Sequence, residues 1–159
     1  LLKGELRPDL SNLLCILSDP KKEDIFLDPF SGSGSIAKER RKLTSFKEIF
    51  EGDISYENKK KLDALNLKSF KNNSVSKIVT DPPWGVTLGR DLDLNNFYSK
   101  MLDEFYKVLD LGGILVILIG NKELFGSVLN NFFDKYNKLR QYDILVNGKK
   151  ARVYKLIKI

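Results

Sequence analysis

Two short segments hold the residues with the clearest chemical capacity. The first is Thr80-Asp81-Pro82-Pro83-Trp84-Gly85, which sets a carboxylate, two prolines and the only tryptophan of the chain in a row. Pro82 disfavours helical geometry at Asp81, and Pro83 does the same at Pro82. The loop therefore presents fixed acceptors, the Asp81 carboxylate and the Pro82 carbonyl, beside the flat face of Trp84. Acceptors next to a stacking ring suit an exocyclic amino group on a nucleobase. That nitrogen is a poor nucleophile because its lone pair is delocalised into the ring. Hydrogen bonds from its N–H groups would orient it and favour a more pyramidal geometry. A methyl sulfonium could then be attacked in line, with alignment and electrostatics supplying most of the rate. A base inside a helix would first have to be flipped out or already be unpaired.

The second segment is Asp28-Pro29-Phe30-Ser31-Gly32-Ser33-Gly34, which follows a short apolar run and precedes a predicted helix. Glycines there let a ligand approach the backbone closely. The helix start offers free N–H groups to an anion. Asp53 ends the next predicted strand, 21 positions after Gly32, a spacing that suits a carboxylate binding ribose hydroxyls. A nucleoside-containing cofactor is indicated. Gly32, Gly34 and Ala37 also fit the G-x-G-x-x-G/A dinucleotide pattern, so a dehydrogenase stays open. There is no G-x-x-x-x-G-K-[ST] pattern, which argues against a P-loop NTPase.

These loops need a scaffold of alternating elements. Leu10, Leu13, Leu14 and Leu17 follow helical spacing after Pro8. Strands are predicted at Asp24–Leu27, Glu48–Glu51, around Ile78 and at Ile114–Ile119. Helices are predicted at Ser35–Leu43, from Ser55 to about Leu65, through Phe97, Met101, Phe105 and Val108, and through Leu124, Val128, Phe132 and Tyr136. Asn147-Gly148 between two strand-like runs signals a hairpin. This order predicts an α/β fold with a mostly parallel sheet covered on both faces and closed by an antiparallel hairpin. If the sheet reverses at the Asp24 strand, Asp28 and Asp81 share one edge beside the switch-point crevice.

Composition narrows the chemistry. The 159 residues suit one domain with a real core. Histidine is absent, which excludes Ser-His-Asp and Cys-His catalysis, HExxH zinc sites and a His general base. Cys15 is the only cysteine, so there is no disulfide framework and no CxxC site, and its leucine neighbours suggest a packed thiol. No apolar run approaches the roughly 20 residues of a membrane span. The net charge of +6 favours polyanionic partners, nucleic acid among them. Lys38, Arg40, Arg41 and Lys42, and again Lys59, Lys60 and Lys61, are read either as solvated helix faces or as salt-sensitive phosphate contacts. Arg7 and Arg90 flank the predicted crevice and are better candidates for substrate contact.

"DPFSGSGS" followed by "TDPPWG" resembles the class I S-adenosylmethionine-dependent amino-methyltransferases. "LRPDLSNLLCIL", "GVTLGRDLDLNNFYSKMLDEFYKVLDLGG" and "ILVNGKKARVYKL" further resemble the catalytic domain of THUMP-associated RNA guanine-N2-methyltransferases. The resemblance covers nearly the whole chain. It implies a Rossmann-like, seven-stranded, doubly wound sheet, S-adenosyl-L-methionine as cofactor, tRNA or rRNA as partner and a cytoplasmic setting. It assigns Asp28, Pro29, Ser31, Gly32, Gly34, Asp53 and Ile54 to the cofactor. Asp63, in "LDALNL", resembles the residue that contacts the adenine amino group, although the nine residues that separate it from Asp53 are short for a helix plus a strand. Asp81, Pro82 and Trp84 fall around the target amine, with Arg7, Pro83 and Arg90 as substrate contacts. The RNA guanine enzymes more often have Tyr or Phe at the Trp84 position, while Trp also occurs in DNA and RNA adenine-N6 and cytosine-N4 enzymes. A DNA enzyme and a non-catalytic binding module therefore stand as alternatives. Residues 1–159 are expected to form one catalytic domain, and the start at Leu1 fits a piece that lacks an N-terminal RNA-binding domain.

Overall fold

The computed structural model describes residues 5–55, 57, 60–86 and 89–159. The elements are α1 (Pro8–Leu17), β1 (Ile25–Asp28), α2 (Ser35–Leu43), β2 (Glu48–Glu51), β3 (Val75–Thr80), α3 (Leu94–Val108), β4 (Leu109–Ile119), α4 (Lys122–Asn130), β5 (Tyr136–Val146) and β6 (Lys149–Lys158). They build one sheet in the order β2-β1-β3-β4-β6-β5. The first four strands run parallel, and β6 and β5 close the sheet antiparallel.

The central strands are apolar on both faces, as a sheet covered by helices on both sides requires. Leu27, Ile78, Leu115 and Ile117 point into one core layer with Tyr98, Met101 and Phe105 of α3 and Phe125 of α4. Phe26, Val79, Val116 and Leu118 point the other way, onto Leu14 and Cys15 of α1 and Ile36 of α2. Neighbouring strand residues thus serve opposite layers, which fixes the register. The Cys15 thiol is buried, donates to the Ile36 carbonyl at 3.4 Å and is pushed up to about 12 by burial, as a packed thiol should be.

Among the described residues the sheet has six strands rather than seven. The helix expected from Ser55 to Leu65 is also absent there; its residues 56, 58 and 59 lie outside the described part. The nine residues between Asp53 and Asp63 cannot hold the helix and strand of a full parallel crossover. The chain instead turns back, with the Asp53 N–H donating to the Lys60 carbonyl at 3.0 Å. Leu62, Ala64 and Leu67 still reach the core, but from irregular chain.

Two helix faces also differ from expectation. Tyr98 is fully buried while Phe97 is only partly so. Tyr136 opens β5 instead of extending α4, and its hydroxyl donates to the Leu102 carbonyl. The Asn147-Gly148 turn has positive φ at both residues, 49° and 78°, as a two-residue hairpin of this type demands.

Arg40 is not available to bind phosphate. Its side chain is 0% exposed and pairs with Asp24, itself 3% exposed, at 3.2 Å. It also donates to the carbonyls of Thr44 and Lys21. Removing one partner of a buried pair strands the other charge, at a cost of about 3–5 kcal/mol. Arg40→Ala is therefore expected to lose about that much in urea unfolding, whereas Arg41→Ala, whose pair with Glu51 is partly exposed, should lose less than about 1 kcal/mol.

Candidate active site

The site lies at the carboxyl edge of the parallel strands, where β1 has β2 on one side and β3 on the other. Asp28 ends β1 and is fully buried. Its Oδ1 accepts from the Thr80 hydroxyl at 2.7 Å and from the Phe30 N–H at 3.2 Å. Its main-chain carbonyl accepts from the Gly52 N–H, and the Gly52 carbonyl accepts from the Ser31 N–H. The ends of β1, β2 and β3 are thus tied through one residue.

The glycine turn hangs from this tie. Gly32 has φ of 47°, and a Cβ built there would meet nothing within 4 Å. Glycine at 32 therefore serves the left-handed backbone and faces open space rather than packed protein. Gly34, at φ 87°, starts α2. The Gly32 N–H donates to Asp53 Oδ2 at 3.1 Å, while Asp53 Oδ1 accepts from the Ser55 N–H at 2.8 Å. A carboxylate has about four acceptor positions, so Asp53 can still receive hydroxyl donors. Ile54 beside it is exposed. Asp63 stands neither on a helix nor on a strand; its Oδ1 caps a turn at Leu65. It follows Leu62, whose Cβ approaches the Gly52 backbone too closely for any side chain at 52. Asp63 is thus brought to the Asp53 side of the crevice.

The proline loop leaves β3 beside Asp28. Asp81 Oδ1 accepts from Trp84 Nε1 at 2.8 Å, and the Pro83 carbonyl accepts from the Tyr98 hydroxyl at 3.0 Å. Burial pushes the Asp81 carboxyl up to about 7; the indole hydrogen bond opposes this and the nearby Asp28 adds to it. Burial likewise pushes Asp28 up to about 7, against its bonds from Thr80 and Phe30. Two carboxyls on neighbouring strand ends are thus both raised by burial, and among the described residues no cation lies between them, a combination that marks this edge as a candidate site.

The residues read from sequence divide into two groups. Asp28, Pro29, Ser31, Gly32, Gly34, Asp53 and Ile54 line one side of the edge, and Asp81, Pro82, Pro83 and Trp84 leave the neighbouring strand. Arg7 stands apart. It is exposed, pairs with Asp9 at 3.0 Å and lines a groove of about 590 Å³ between α1 and the β5–β6 turn, which none of Asp28, Asp53 and Asp81 lines. Arg90 is exposed and donates to the Val86 carbonyl. Lys42 pairs with Glu39, and Lys61 donates to the Ile54 carbonyl; Lys59 lies outside the described residues. Three further contributors belong to no motif: Thr80, Tyr98 and Gly120. A glycine directly after the apolar run Ile114–Ile119 was the one available signal for Gly120.

The donor set fits S-adenosylmethionine. Among the described residues Asp28 Oδ2 and Ser31 Oγ are buried without a hydrogen-bond partner, as are Ser11 Oγ and Arg40 Nε away from this edge; the first two stand together at the glycine turn, where polar groups of a ligand could meet them. Open space faces Gly32, and Asp53 keeps acceptor capacity at the end of β2.

Residues 1–47 and 51–149 match the family described as RMKL-like, methyltransferase domain. A tRNA (guanine(6)-N2)-methyltransferase of Thermus thermophilus is 30% identical over 135 residues, which is 74% of this chain and 40% of that protein. The crystal structure of TrmN from Thermus thermophilus superposes with a TM-score of 0.83 at 26% identity, over 99% of this chain and 51% of that one. Magnesium protoporphyrin IX methyltransferase (ChlM) from Synechocystis PCC 6803, solved with bound SAM, shares the fold alone: TM-score 0.66, 11% identity, 96% of this chain and 78% of that one. The chain thus spans about half the length of the TrmN chain and less of the curated relative.

The buried Asp28 carboxyl has a consequence for stability. Below pH 3.8 it is protonated folded and unfolded alike, and its contribution is fully present. Between 3.8 and about 7 the folded chain holds a proton that the unfolded chain has released, so rising pH favours unfolding through this group. Asp28→Asn removes that term and keeps an acceptor for Thr80. Its stability relative to the unsubstituted chain is expected to improve from pH 4 to about pH 7 and to level off above that in urea denaturation; a constant difference would contradict a raised Asp28.

Proposed function

The chain belongs to the RMKL-like methyltransferase domain family, and on that premise we propose that it methylates an exocyclic amino group of a nucleobase in RNA. The target best supported is guanine N2 in tRNA, as in the curated relative's name; rRNA is the other RNA source. Family membership also replaces the dehydrogenase reading of the glycine turn. The observation that carries the proposal is the pairing of two loops at one sheet edge: a glycine turn with unpartnered buried oxygens beside a proline loop with a poised carboxylate.

S-adenosylmethionine supplies an electrophilic methyl group when bound. Gly32 and Gly34 leave room for close approach of its methionine end, with Asp28 and Ser31 as polar partners. Asp53 receives the ribose hydroxyls, Ile54 offers an apolar face to adenine, and Asp63 stands on the adenine side. Asp81 and the Pro82 carbonyl accept the N–H bonds of the target amine and aim its lone pair at the methyl group. As the new C–N bond formed, the bond from sulfur to the methyl group would break and release a neutral thioether, and the nitrogen would gain the positive charge and have to lose a proton. Asp81, raised to about 7, can take that proton or pass it to water. Trp84 and Pro83 hold the base, and Arg90 serves a nearby phosphate, whereas Arg7 lies in the separate groove between α1 and the β5–β6 turn.

Two variants separate binding from chemistry. Asp81→Ala should lower transfer of labelled methyl to unmodified tRNA by at least about 100-fold while calorimetric affinity for S-adenosylmethionine stays nearly unchanged; full activity would remove Asp81 from catalysis. Asp53→Ala should weaken that affinity at least tenfold, roughly the loss of one hydrogen bond to a charged group. NADH is expected not to bind either form. An unsubstituted protein that binds S-adenosylmethionine and methylates no nucleic acid would favour the non-catalytic module.

A further inference from the structure

Trp84 is held in one orientation by two independent contacts. Its indole N–H donates to Asp81 Oδ1 at 2.8 Å. Its ring also lies against the backbone of Gly120, where a Cβ would sit 2.4 Å from Cε3 and 2.5 Å from Cδ2. Gly120 directly follows β4 and is not among the residues with positive φ. Glycine is therefore needed there for the approach of the indole, not for the path of the backbone. Tyr98, fully buried on α3, donates to the Pro83 carbonyl at 3.0 Å.

These contacts sort the acceptors of the loop. Asp81 Oδ1 and the Pro83 carbonyl are engaged within the protein. Among the described residues no donor reaches Asp81 Oδ2 or the Pro82 carbonyl. Two oxygens are left, and an exocyclic amino group has two N–H bonds. We propose that Trp84 acts as a positioning residue, its indole N–H set by Gly120 and seconded by Tyr98, so that Asp81 Oδ2 and the Pro82 carbonyl face the amine as a fixed pair. The inference rests on the amino-methylation reading above. It gives the tryptophan a task that Phe, which keeps a smaller stacking face but has no N–H, cannot perform.

The titratable groups facing Asp81 are Asp28 at the end of β1 and Tyr98 on α3, and neither donates to it. The indole N–H is the hydrogen bond that favours its carboxylate form. Two measurements on Trp84→Phe test the proposal: carbon-detected NMR titration of aspartate carboxyls in the free protein, and kcat and KM with unmodified tRNA transcript and S-adenosylmethionine. The Asp81 carboxyl is expected to titrate at higher pH than in the unsubstituted chain, with Asp28 little moved. The kcat is expected to fall about 10- to 100-fold while cofactor affinity holds, as misplacement of a reacting group by about 1 Å would produce. Gly120→Ala should reproduce both effects with Trp84 intact, and Tyr98→Phe the loss in kcat. An unmoved Asp81 titration in Trp84→Phe, or full activity in Gly120→Ala, would overturn the proposal. If the unsubstituted protein methylates no RNA, the substrate reading fails, and the titration alone still decides for or against the positioning role.

Discussion

Asp28 is the point on which the site depends. A four-residue strand ends in a carboxylate whose side chain takes a hydroxyl from β3 and whose carbonyl takes an amide from the segment after β2. The glycine turn, the Asp53 loop and the proline loop are therefore held relative to one another by a single buried residue. The parallel order β2-β1-β3 brings these strand ends together, and the hydrogen bonds of Asp28 set the distances.

The same short strand shows how the fold separates stability from reactivity. Asp24, just before β1, is answered by Arg40, by Ser76 and by the Lys21 N–H, and nothing about it is left open. Asp28, at the other end, keeps one oxygen buried and, among the described residues, unpartnered and without a cation. Buried polar groups are normally satisfied; Arg40 Nε beside Asp24 also lacks a partner among the described residues, so what separates the two ends is the cation that Asp24 has and Asp28 lacks there, which supports the proposal of a ligand at the Asp28 end. Asp81 continues the pattern, with one oxygen engaged by Trp84 and the other available.

Much of this was legible in the sequence because it rests on local rules. Glycines before a helix, prolines after a strand and Asn147-Gly148 between two strand-like runs impose backbone geometry directly, and the elements they bound formed where expected. What was not legible depends on three-dimensional neighbours. The Ser55–Leu65 segment carries helical residue types, but its apolar residues find the core from irregular backbone because the chain there is too short for a full crossover. Arg40 reads as a surface cation in a basic cluster, and only the fold reveals Asp24 beneath it. Thr80, Tyr98 and Gly120 act on residues that lie 52, 15 and 36 positions away, beyond any motif's reach. The seventh strand was implied by the resemblance and not by the residues of this chain.

The most direct measurement is the chemical identity of the methylated nucleoside. Unmodified tRNA transcript would be incubated with the protein and methyl-labelled S-adenosylmethionine, digested to nucleosides and separated by chromatography with mass detection. The loop of Asp81, Pro82 and Trp84 predicts label on an exocyclic amine, and the proposed guanine target predicts that it is N2-methylguanosine. Label on a ring nitrogen, a ring carbon or a ribose oxygen would contradict the assignment of those acceptors to an amino group.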